Sequence, residues 1–588
     1  MNIVWVRRFS QGFFLLLFLW LCVVSTVGTK AWQLRGWPVN WFLQVDPLAA
    51  LGTLLTTRTI YAALLWSVGT LVLTVLFGRF FCGFVCPLGT LQHAAGWAAR
   101  RGRAAADRER LNEYRPWQSL KYYLLAFLLG AAALGLVSPP AGRLYGSLQA
   151  GLLDPLSLAH RSINLFLLPF ADRIPNVTSA LPRHYDGAWI IGAAFLAILF
   201  ACTAVPRFYC RFVCPLGALL GLFGRFALWR VGKTREPCST CMLCETDCEG
   251  ACEPSEKIRQ AECVLCMNCL RACPDGVIGW RTATSASGEA PSPDVSRRGF
   301  LLSLGSGLLA VPMVRMSNLL GANWNPRLIR PPGALAEEDF LSRCLKCGQC
   351  MRICPTNIIQ PAGLEAGVEG IWTPALNFRI GTSGCQLNCI ACGQVCPTAA
   401  IRPIGLDEKL GRGDFARAGP VRLGTAFIDQ GRCLPWAMDR ACIVCQENCP
   451  VSPKAIHVRE HFSTTRDDLP PVAAADELTL DFGRPVMEPG RFATGDYYCA
   501  MLPADGEPRH IVENTASTLT IASTRPWDPP PEPGRRAEIQ IRLQQPYVDP
   551  ALCTGCGICE HECPVTGIKA IRVTAENESR NARRALIV

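Results

Sequence analysis

The chain has 588 residues, of which 50% are apolar, 18% are charged and 32 are cysteine. This combination of low charge and high hydrophobicity excludes a disordered chain, and the length predicts several domains. A small disulfide scaffold is also excluded, because such scaffolds are short chains without a hydrophobic core. The formal charge is +11 with every cysteine counted as neutral. The cysteines are clustered, since most of them fall in groups of four.

Four stretches lack charged residues for about the 20 positions that a transmembrane helix needs, at residues 9–29, 59–78, 122–142 and 187–206. Arginines are concentrated between the second and third stretches and after the fourth, so both ends of this unit are expected in the cytoplasm. The pattern predicts a multi-pass protein of the bacterial cytoplasmic (inner) membrane. The first stretch could instead be a cleaved signal peptide, but its place in a repeat favours a helix.

The membrane part contains an internal repeat. Asp-Pro-Leu occurs at residues 46–48 and 154–156, and Cys-x3-Cys-Pro-Leu-Gly occurs at residues 82–89 and 210–217. Two hairpins with one signature indicate a duplicated helix pair. We therefore predict a membrane α-helical domain of duplicated two-helix hairpins, with four transmembrane helices.

We call the two Cys-x3-Cys-Pro-Leu-Gly sequences the first and second thiol motifs; their cysteines are Cys82, Cys86, Cys210 and Cys214. Residues four apart on a helix share a face, but their Cβ atoms are too far apart for an unstrained disulfide. Two interpretations stay open. Each motif could be a helix end that docks a cytoplasmic segment, or the two pairs could form one four-thiol metal site or dithiol relay.

Six cysteine runs follow, and most have the spacing C-x2-C-x2-C-x3-C. Run 4 stretches the first interval to three residues and run 5 stretches it to eight. The runs are run 1 (Cys238, Cys241, Cys244, Cys248), run 2 (Cys263, Cys266, Cys269, Cys273), run 3 (Cys344, Cys347, Cys350, Cys354), run 4 (Cys385, Cys389, Cys392, Cys396), run 5 (Cys433, Cys442, Cys445, Cys449) and run 6 (Cys553, Cys556, Cys559, Cys563).

This spacing is that of bacterial ferredoxins, in which three cysteines bind one [4Fe–4S] cluster and the fourth binds the neighbouring cluster. Exchanging fourth ligands within successive pairs of runs predicts six clusters. Zinc is disfavoured, because its modules separate two C-x2-C pairs by a longer spacer. Cys252 competes with Cys248 as a ligand, and Cys22, Cys202, Cys252 and Cys499 are otherwise interpreted as packing residues. The predicted sets are Cys238/241/244/273, Cys263/266/269/248, Cys344/347/350/396, Cys385/389/392/354, Cys433/442/445/563 and Cys553/556/559/449.

A small polar linker at residues 283–293 precedes Ser-Arg-Arg-Gly-Phe-Leu at residues 296–301 and an uncharged run that ends at residue 314. A twin-arginine pair before a modest apolar stretch resembles a Tat export signal. A short fifth anchor helix or a membrane-surface segment are the alternatives. We favour export, which predicts that residues 321–588 lie outside the cytoplasm and residues 238–282 inside it.

The first part of the chain is therefore predicted to be a membrane domain. The rest is predicted to consist of α+β modules of the bacterial-ferredoxin type, each with two [4Fe–4S] clusters. The insert between runs 5 and 6, at about residues 455–546, has no predicted fold, and its proline-rich part suggests an extended surface loop. The predicted domains are residues 1–237 (membrane helices), 238–282 (ferredoxin segment), 283–320 (linker and anchor), 321–429 (ferredoxin module) and 430–588 (ferredoxin module with the insert).

On these motifs, residues 1–280 resemble the NapH family of membrane quinol dehydrogenase subunits, which is related to NosR and CcoG. Residues 294–588 resemble NapG and MauM, exported ferredoxins with twin-arginine leaders. The resemblance implies oxidation of quinol from the membrane quinone pool and electron delivery to an extracytoplasmic cytochrome or reductase. We find no flavin-attachment motif, and we expect no nucleic-acid partner.

Three polar residues are candidates for the quinol site. Asp46 and Asp154 each precede a proline, which is ordinary chemistry for a helix start, so proton acceptance from quinol is the weaker interpretation. His160 is the outer-loop imidazole near Asp154. Two alternative functions stay open: a CcoG-like copper and thiol factor for metalloenzyme maturation, or a non-catalytic electron-transfer subunit of a larger complex.

Overall fold

The computed structural model describes residues 3–25, 38–137, 146–173, 182–235, 238–239, 241–291, 293–316, 325, 328–504 and 506–586. The chain divides into two compact units. The first unit comprises Met1–Thr382, Asn388–Val421 and Ser579–Arg583, and the second comprises Ser383–Leu387, Arg422–Glu578 and Arg584–Val588.

The first unit begins with apolar helices separated by short turns. Its helices before run 1 are Ile3–Val24, Trp41–Gln44, Pro47–Thr57, Trp66–Phe77, Pro87–Arg100, Ala105–Asn112, Leu120–Val137, Ala150–Leu153, Pro155–Ser162, Leu168–Ala171, Ala188–Ala204, Phe208–Phe212 and Pro215–Gly224. The helical character of this region agrees with the predicted fold class.

Three described helices are long and apolar enough to cross a membrane: Ile3–Val24, Pro116–Leu136 and Arg297–Met316. The predicted stretches at residues 59–78 and 187–206 form shorter apolar helices, Ala62–Phe77 and Ala188–Ala204. The ends of the other two stretches, residues 26–29 and 138–142, lie outside the described residues. Three long helices indicate a membrane protein.

The first helix starts six residues earlier than predicted and contains Arg7. This arginine is fully buried. Its charge is compensated by Asn268 Oδ1 at 3.5 Å and by the Glu249 carboxylate at 4.0 Å from the guanidinium. One turn further on, Gln11 Nε2 donates to the Gly83 carbonyl oxygen at 2.9 Å. These contacts make the helix part of the packed unit.

The helix Arg297–Met316, which we call the anchor helix, has 20 residues because the twin arginines begin it. It packs along Leu120–Val137 with the two backbones in close approach. A Cβ at Gly307 would overlap the Phe127 carbonyl oxygen, and one at Gly130 would overlap the Leu304 carbonyl oxygen. Small residues at such crossings are what allow apolar helices to associate in lipid.

The six cysteine runs are accompanied by short strands and helices of the α+β type. Antiparallel strand pairs are Arg230–Lys233 with Ile278–Arg281, Ile359–Pro361 with Pro374–Leu376, and Thr425–Ile428 with Ile571–Thr574. Short helices within the runs are Leu243–Thr246, Asn268–Ala272, Gln349–Ile353, Ala391–Gln394, Val444–Glu447 and Ile558–Glu562.

The insert of the second unit forms an antiparallel sheet of seven strands. In spatial order these are Ile456–Arg466, Arg536–Val548, Tyr497–Leu502, Arg509–Asn514, Thr518–Ile521, Thr479–Asp481 and Ala474–Ala475. Trp527, Ile539 and Leu519 are buried in its core. The two longest strands pair so that Ile456 lies opposite Val548. The insert therefore leaves the ferredoxin module and returns to it at one point.

The packing of the anchor helix gives a first prediction. Gly307→Leu forces the helix away from Leu120–Val137, and overpacking of this kind costs about 1–3 kcal/mol. We expect a lower midpoint of thermal unfolding for the purified protein in detergent. Gly305→Leu is the matched control on the same helix, because a Cβ there meets nothing within 4 Å. Equal midpoints for the two variants would contradict the packing described.

Candidate iron–sulfur and thiol sites

The loop of a regular cysteine run has a repeated backbone conformation. The residue after the second cysteine is left-handed in runs 1, 2, 3 and 6, at Met242, Met267, Gly348 and Gly557. The residue before the second cysteine is also left-handed in runs 2, 3 and 6, at Leu265, Lys346 and Gly555. Outside glycine this conformation costs free energy, so the surrounding loop must enforce it. The result is a tight turn that wraps around a central point.

The same turn aims backbone N–H groups at the sulfur atoms. In run 3 the Lys346 N–H donates to the Cys344 sulfur and the Gln349 N–H donates to the Cys347 sulfur. Runs 2 and 6 repeat the pattern two residues after their first and second cysteines. Such donors stabilise thiolates and tune the reduction potential of a cluster. The loops therefore suit a [4Fe–4S] cluster.

Two buried cavities collect thiols from different runs. One is lined by three cysteines of run 3 together with Cys396 of run 4. The other is lined by three cysteines of run 5 together with Cys563 of run 6. Pro397 lines the first cavity, together with Lys346, Gln349 and Thr398, and Pro564 lines the second, whose other walls are apolar. In each cavity the thiols are those of one predicted set, and the residues fit a [4Fe–4S] cluster.

The other predicted sets are described less completely. The run 6 thiols interact electrostatically with Cys449, as their predicted set requires. The cysteines of run 4 belong to different units, Cys385 to the second and Cys389 to the first. In run 2, Cys269 interacts with Cys266, Cys248 and Cys263. Cys252, interpreted from sequence as a packing residue, lies in the same site, with its sulfur 3.3 Å from that of Cys248. The choice between these two ligands therefore stays open.

The two thiol motifs have equivalent geometry. Cys86 caps the helix Pro87–Arg100 and its sulfur accepts the Gly89 N–H at 3.4 Å. Cys214 caps the helix Pro215–Gly224 in the same way, accepting the Gly217 N–H at 3.1 Å. All four thiols are buried and within electrostatic range of one another. The structure therefore brings both motifs into one group.

An arginine three residues before each motif crosses to the other repeat. Arg79 lies beside Gly217 of the second motif, and its guanidinium is 3.9 Å from the Cys82 sulfur. Arg207 lies beside Gly89 of the first motif and donates to the Cys82 carbonyl oxygen at 3.1 Å. A Cβ at Gly217 would overlap the Arg79 guanidinium, whereas a Cβ at Gly89 would lie only 3.0 Å from the Cys82 carbonyl oxygen. Both positions therefore have little room for a side chain.

Both arginines lie in a buried charge network with glutamates next to the runs. Arg207 is 2.7 Å from Glu249, which follows Cys248. Burial by itself raises the pKa of Glu249, but His93 and Arg207 outweigh it and hold the pKa well below its usual range. Burial also raises the pKa of Glu262, which precedes Cys263. Lys121 and Arg79 outweigh this effect, so the pKa of Glu262 lies below its usual value. The carboxylates are thus charged and join the thiol motifs to runs 1 and 2.

This buried charge network was not predicted from the sequence. Its signal was present, because an arginine stands three residues before the first cysteine of both motifs and a glutamate is adjacent to Cys248 and Cys263. Nothing in their spacing, however, says that these distant residues pair.

Run 3 packs against the opposite side of the thiol group. Arg161 donates to the Lys346 carbonyl oxygen at 3.0 Å and interacts with Tyr209, which interacts with Cys214. Gln349 Nε2 lies 3.2 Å from His160 Nδ1. His160 is fully buried, and the sulfur of Cys22 is 3.7 Å from the same nitrogen. Cys22 is also part of the buried apolar core, as its interpretation as a packing residue predicts.

Asp46 and Asp154 face each other between the thiol group and run 3. Each carboxylate caps its helix, accepting Leu48 N–H at 2.8 Å and Ser157 N–H at 2.7 Å. The two carboxyl groups are within hydrogen-bonding range, yet Asp46 Oδ2 and Asp154 Oδ1 have no donor among the described residues. A proton held between these oxygens would complete the pair.

Within the described ranges, no three His, Cys, Asp or Glu side chains are arranged to hold a single metal ion. The thiols of a [4Fe–4S] cube bind four different irons, so their separation is compatible with that cofactor.

Comparison with known proteins points to the same chemistry. A family model described as a 4Fe-4S binding domain matches residues 59–104 and 185–235, which contain the two thiol motifs. A second model with the same description matches residues 340–360 and 546–569, which contain runs 3 and 6. The first pair of matches covers both copies of the repeat.

Several characterised sequences are similar to parts of the chain. YccM of Escherichia coli is 26% identical over 285 residues, which are 47% of this chain and 70% of YccM. Protein NirI of Paracoccus denitrificans is 32% identical over 240 residues, 39% of this chain and 30% of NirI. Ferredoxin-type protein NapH of Escherichia coli is 27% identical over 264 residues, 42% of this chain and 77% of NapH. No solved structure matches.

Fold, thiol sites and family matches together define an iron–sulfur protein with ferredoxin-type 4Fe–4S binding domains. It is related to ferredoxin-type proteins such as NapH.

The cavity of run 3 gives a second prediction. Cys396→Ala removes one of its four thiols, and loss of the cluster lowers the iron content by about four atoms per chain. Anaerobic iron analysis of the purified protein measures this loss. Cys499→Ala is the control, because Cys499 is buried in the sheet and outside the runs. An unchanged iron content in the Cys396 variant would exclude this ligand.

The charge network gives a third prediction. Glu249→Gln leaves Arg207 and Arg7 without their buried partner, which typically costs about 3–5 kcal/mol. We expect a thermal midpoint several degrees lower in detergent. Asp186→Asn is the control in the same unit, because Asp186 pairs with His184 at the surface, where such pairs contribute about 0–1 kcal/mol. A midpoint equal to that of the control would mean that the network contributes little.

Proposed function

We propose that the protein is a membrane-bound electron-transfer chain that oxidises quinol and passes the electrons through six [4Fe–4S] clusters to an extracytoplasmic redox partner. When bound, such clusters accept and release single electrons. The iron–sulfur character is supported by the family matches and the thiol cavities. The number of clusters and the quinol substrate are proposals.

One observation carries the proposal: a series of buried groups, each within electrostatic range of the next, runs from run 2 to run 3. It begins at Cys263 and Arg79, which interact electrostatically. It continues through the four thiols to Tyr209 and Asp154, and it ends at Arg161 beside Cys347. About 30 Å of hydrocarbon would otherwise separate clusters on the two sides of a membrane. The thiol group supplies an intermediate station within this gap.

The quinol site in this proposal lies at the Asp46–Asp154 pair. Oxidation of a quinol to a quinone releases two protons and two electrons, so the site needs a proton acceptor beside an electron acceptor. The facing carboxyl oxygens offer the first, and run 3 beyond Arg161 offers the second. His160 is a further candidate, since its Nε2 has no hydrogen-bond partner among the described residues.

The proposed topology puts run 3 outside the cytoplasm and run 2 inside it. It is supported by the arginine distribution and by the twin-arginine start of the anchor helix. Export of a folded domain by this route also suits clusters that are assembled in the cytoplasm. In this arrangement the second part of the chain resembles NapG and MauM.

A copper-handling role is the alternative. It is favoured by the buried thiols of the two motifs, because soft thiolates suit Cu(I). Copper titration of the Cys86→Ala/Cys214→Ala variant separates the two roles, because only the copper role requires tight binding that this variant loses.

Anaerobic mixing with a reduced quinol analogue gives a fourth prediction. The wild-type protein should show reduced clusters by EPR, and spin counting with iron analysis should approach about 24 irons per chain. Absence of reduction with several quinols would overturn quinol oxidation.

The role of the aspartate pair gives a fifth prediction. Asp154→Asn keeps a helix cap, since asparagine caps as well as aspartate, but removes a proton acceptor. We expect reduction by quinol to slow by about a hundredfold, as is typical for loss of a general base, while reduction by dithionite is unchanged. Asp476→Asn is the control, because Asp476 also accepts backbone N–H groups but in the sheet. Equal quinol rates in both variants would exclude Asp154.

A further inference from the structure

A cavity of about 410 Å³ lies beside run 2, at the end of the helix Pro87–Arg100. Its walls carry an unusual amount of positive charge. Six arginines line it, together with two acidic residues, Asp247 and Glu249. The arginines are Arg8, Arg100, Arg101, Arg103, Arg108 and Arg271.

The acidic residues do not balance this charge. Glu249 is held by Arg207 at 2.7 Å and His93 at 2.6 Å, deep in the buried network. Asp247 pairs with Arg108 at 3.1 Å. Arg100 lies 3.6 Å from Glu249. The other four lining arginines, Arg8, Arg101, Arg103 and Arg271, have no acidic partner among the described residues. The cavity therefore favours an anion with more than one negative charge.

Aromatic residues indicate the level of the cavity relative to a membrane. Trp97 lines the cavity, is 45% exposed, and is covered by the Arg101 guanidinium at 4.4 Å from the ring centre. Trp5 is 63% exposed and lies under Arg8. Exposed tryptophans at the ends of apolar helices are typical of the membrane–water interface. The unpaired arginines therefore lie where lipid headgroups would be.

We propose that this cavity binds the headgroup of an anionic phospholipid. Arginine forks match phosphate oxygens, and basic pockets between membrane helices on the cytoplasmic side are suited to lipids with two phosphates. Asn268 connects the floor of the cavity to run 2, since its Nδ2 donates to Glu249 Oε1 at 3.2 Å next to Cys269. A bound headgroup would thus contact the segment that holds the run 2 thiols. This site is independent of the proposed quinol chemistry.

The test compares lipid binding to the intact, detergent-purified chain by native mass spectrometry. The probes are cardiolipin, phosphatidylcholine and inorganic phosphate at the same phosphate concentration. The variant is Arg8→Gln/Arg101→Gln/Arg271→Gln. The control is Arg417→Gln/Arg440→Gln/Arg484→Gln, which removes the same charge from exposed arginines that do not line the cavity.

We expect the cavity variant to lose at least about tenfold in cardiolipin affinity, because each basic side chain contributes to binding at an anionic surface. The control variant should bind cardiolipin like the wild type. Phosphatidylcholine should bind the wild type and both variants with equal affinity. Equal cardiolipin affinity in the cavity variant and control would overturn the proposal. Competition by inorganic phosphate as strong as by cardiolipin would overturn the lipid assignment.

Folding of the cavity variant is checked separately, by its iron content and its thermal midpoint in phosphatidylcholine micelles. Arg271→Gln alone provides a second variant, because Arg271 is exposed and its loss does not disturb packing. A smaller loss of cardiolipin affinity is expected from this change, and no loss from either variant would reject the site.

Discussion

The buried charge network of Arg79, Arg207, Glu249 and Glu262 is the constraint on which the first unit depends. Each arginine belongs to one repeat and lies beside the glycine of the other, so the repeats interlock. Their carboxylate partners flank cysteines of runs 1 and 2. Burying four charges is costly unless each is paired, so the thiol motifs and the adjacent ferredoxin segment can adopt their positions only together.

This interlock places the thiol group between two cysteine runs. Arg79 links it to run 2, while Tyr209 and Arg161 link it to run 3. The anchor helix reinforces the arrangement through its close packing on Leu120–Val137. The apolar helices therefore hold the thiol group between the two runs, with a series of polar groups on either side of it.

The ferredoxin modules were predictable because their chemistry is local. Three thiols in one loop must surround one cube, and the ligand-exchange rule named Cys396 and Cys563, which line the cavities of runs 3 and 5. The pairing of Arg207 with Glu249 was not predictable, because it joins segments that no local pattern connects. The predicted start of the first helix was six residues too late for the same reason, because the buried Arg7 is paired with a glutamate distant in sequence. The insert escaped prediction because its sheet depends on long-range strand pairing.

The closed insert has a consequence for how the last module is made. Because Ile456 and Val548 lie opposite each other, the intervening sheet can grow or shrink in evolution without moving Cys445 relative to Cys563. The same topology delays assembly, since the final thiol leaves the ribosome only after the whole sheet has been translated. The set of thiols that lines this cavity is therefore complete only after the strands that bracket the insert have been synthesised.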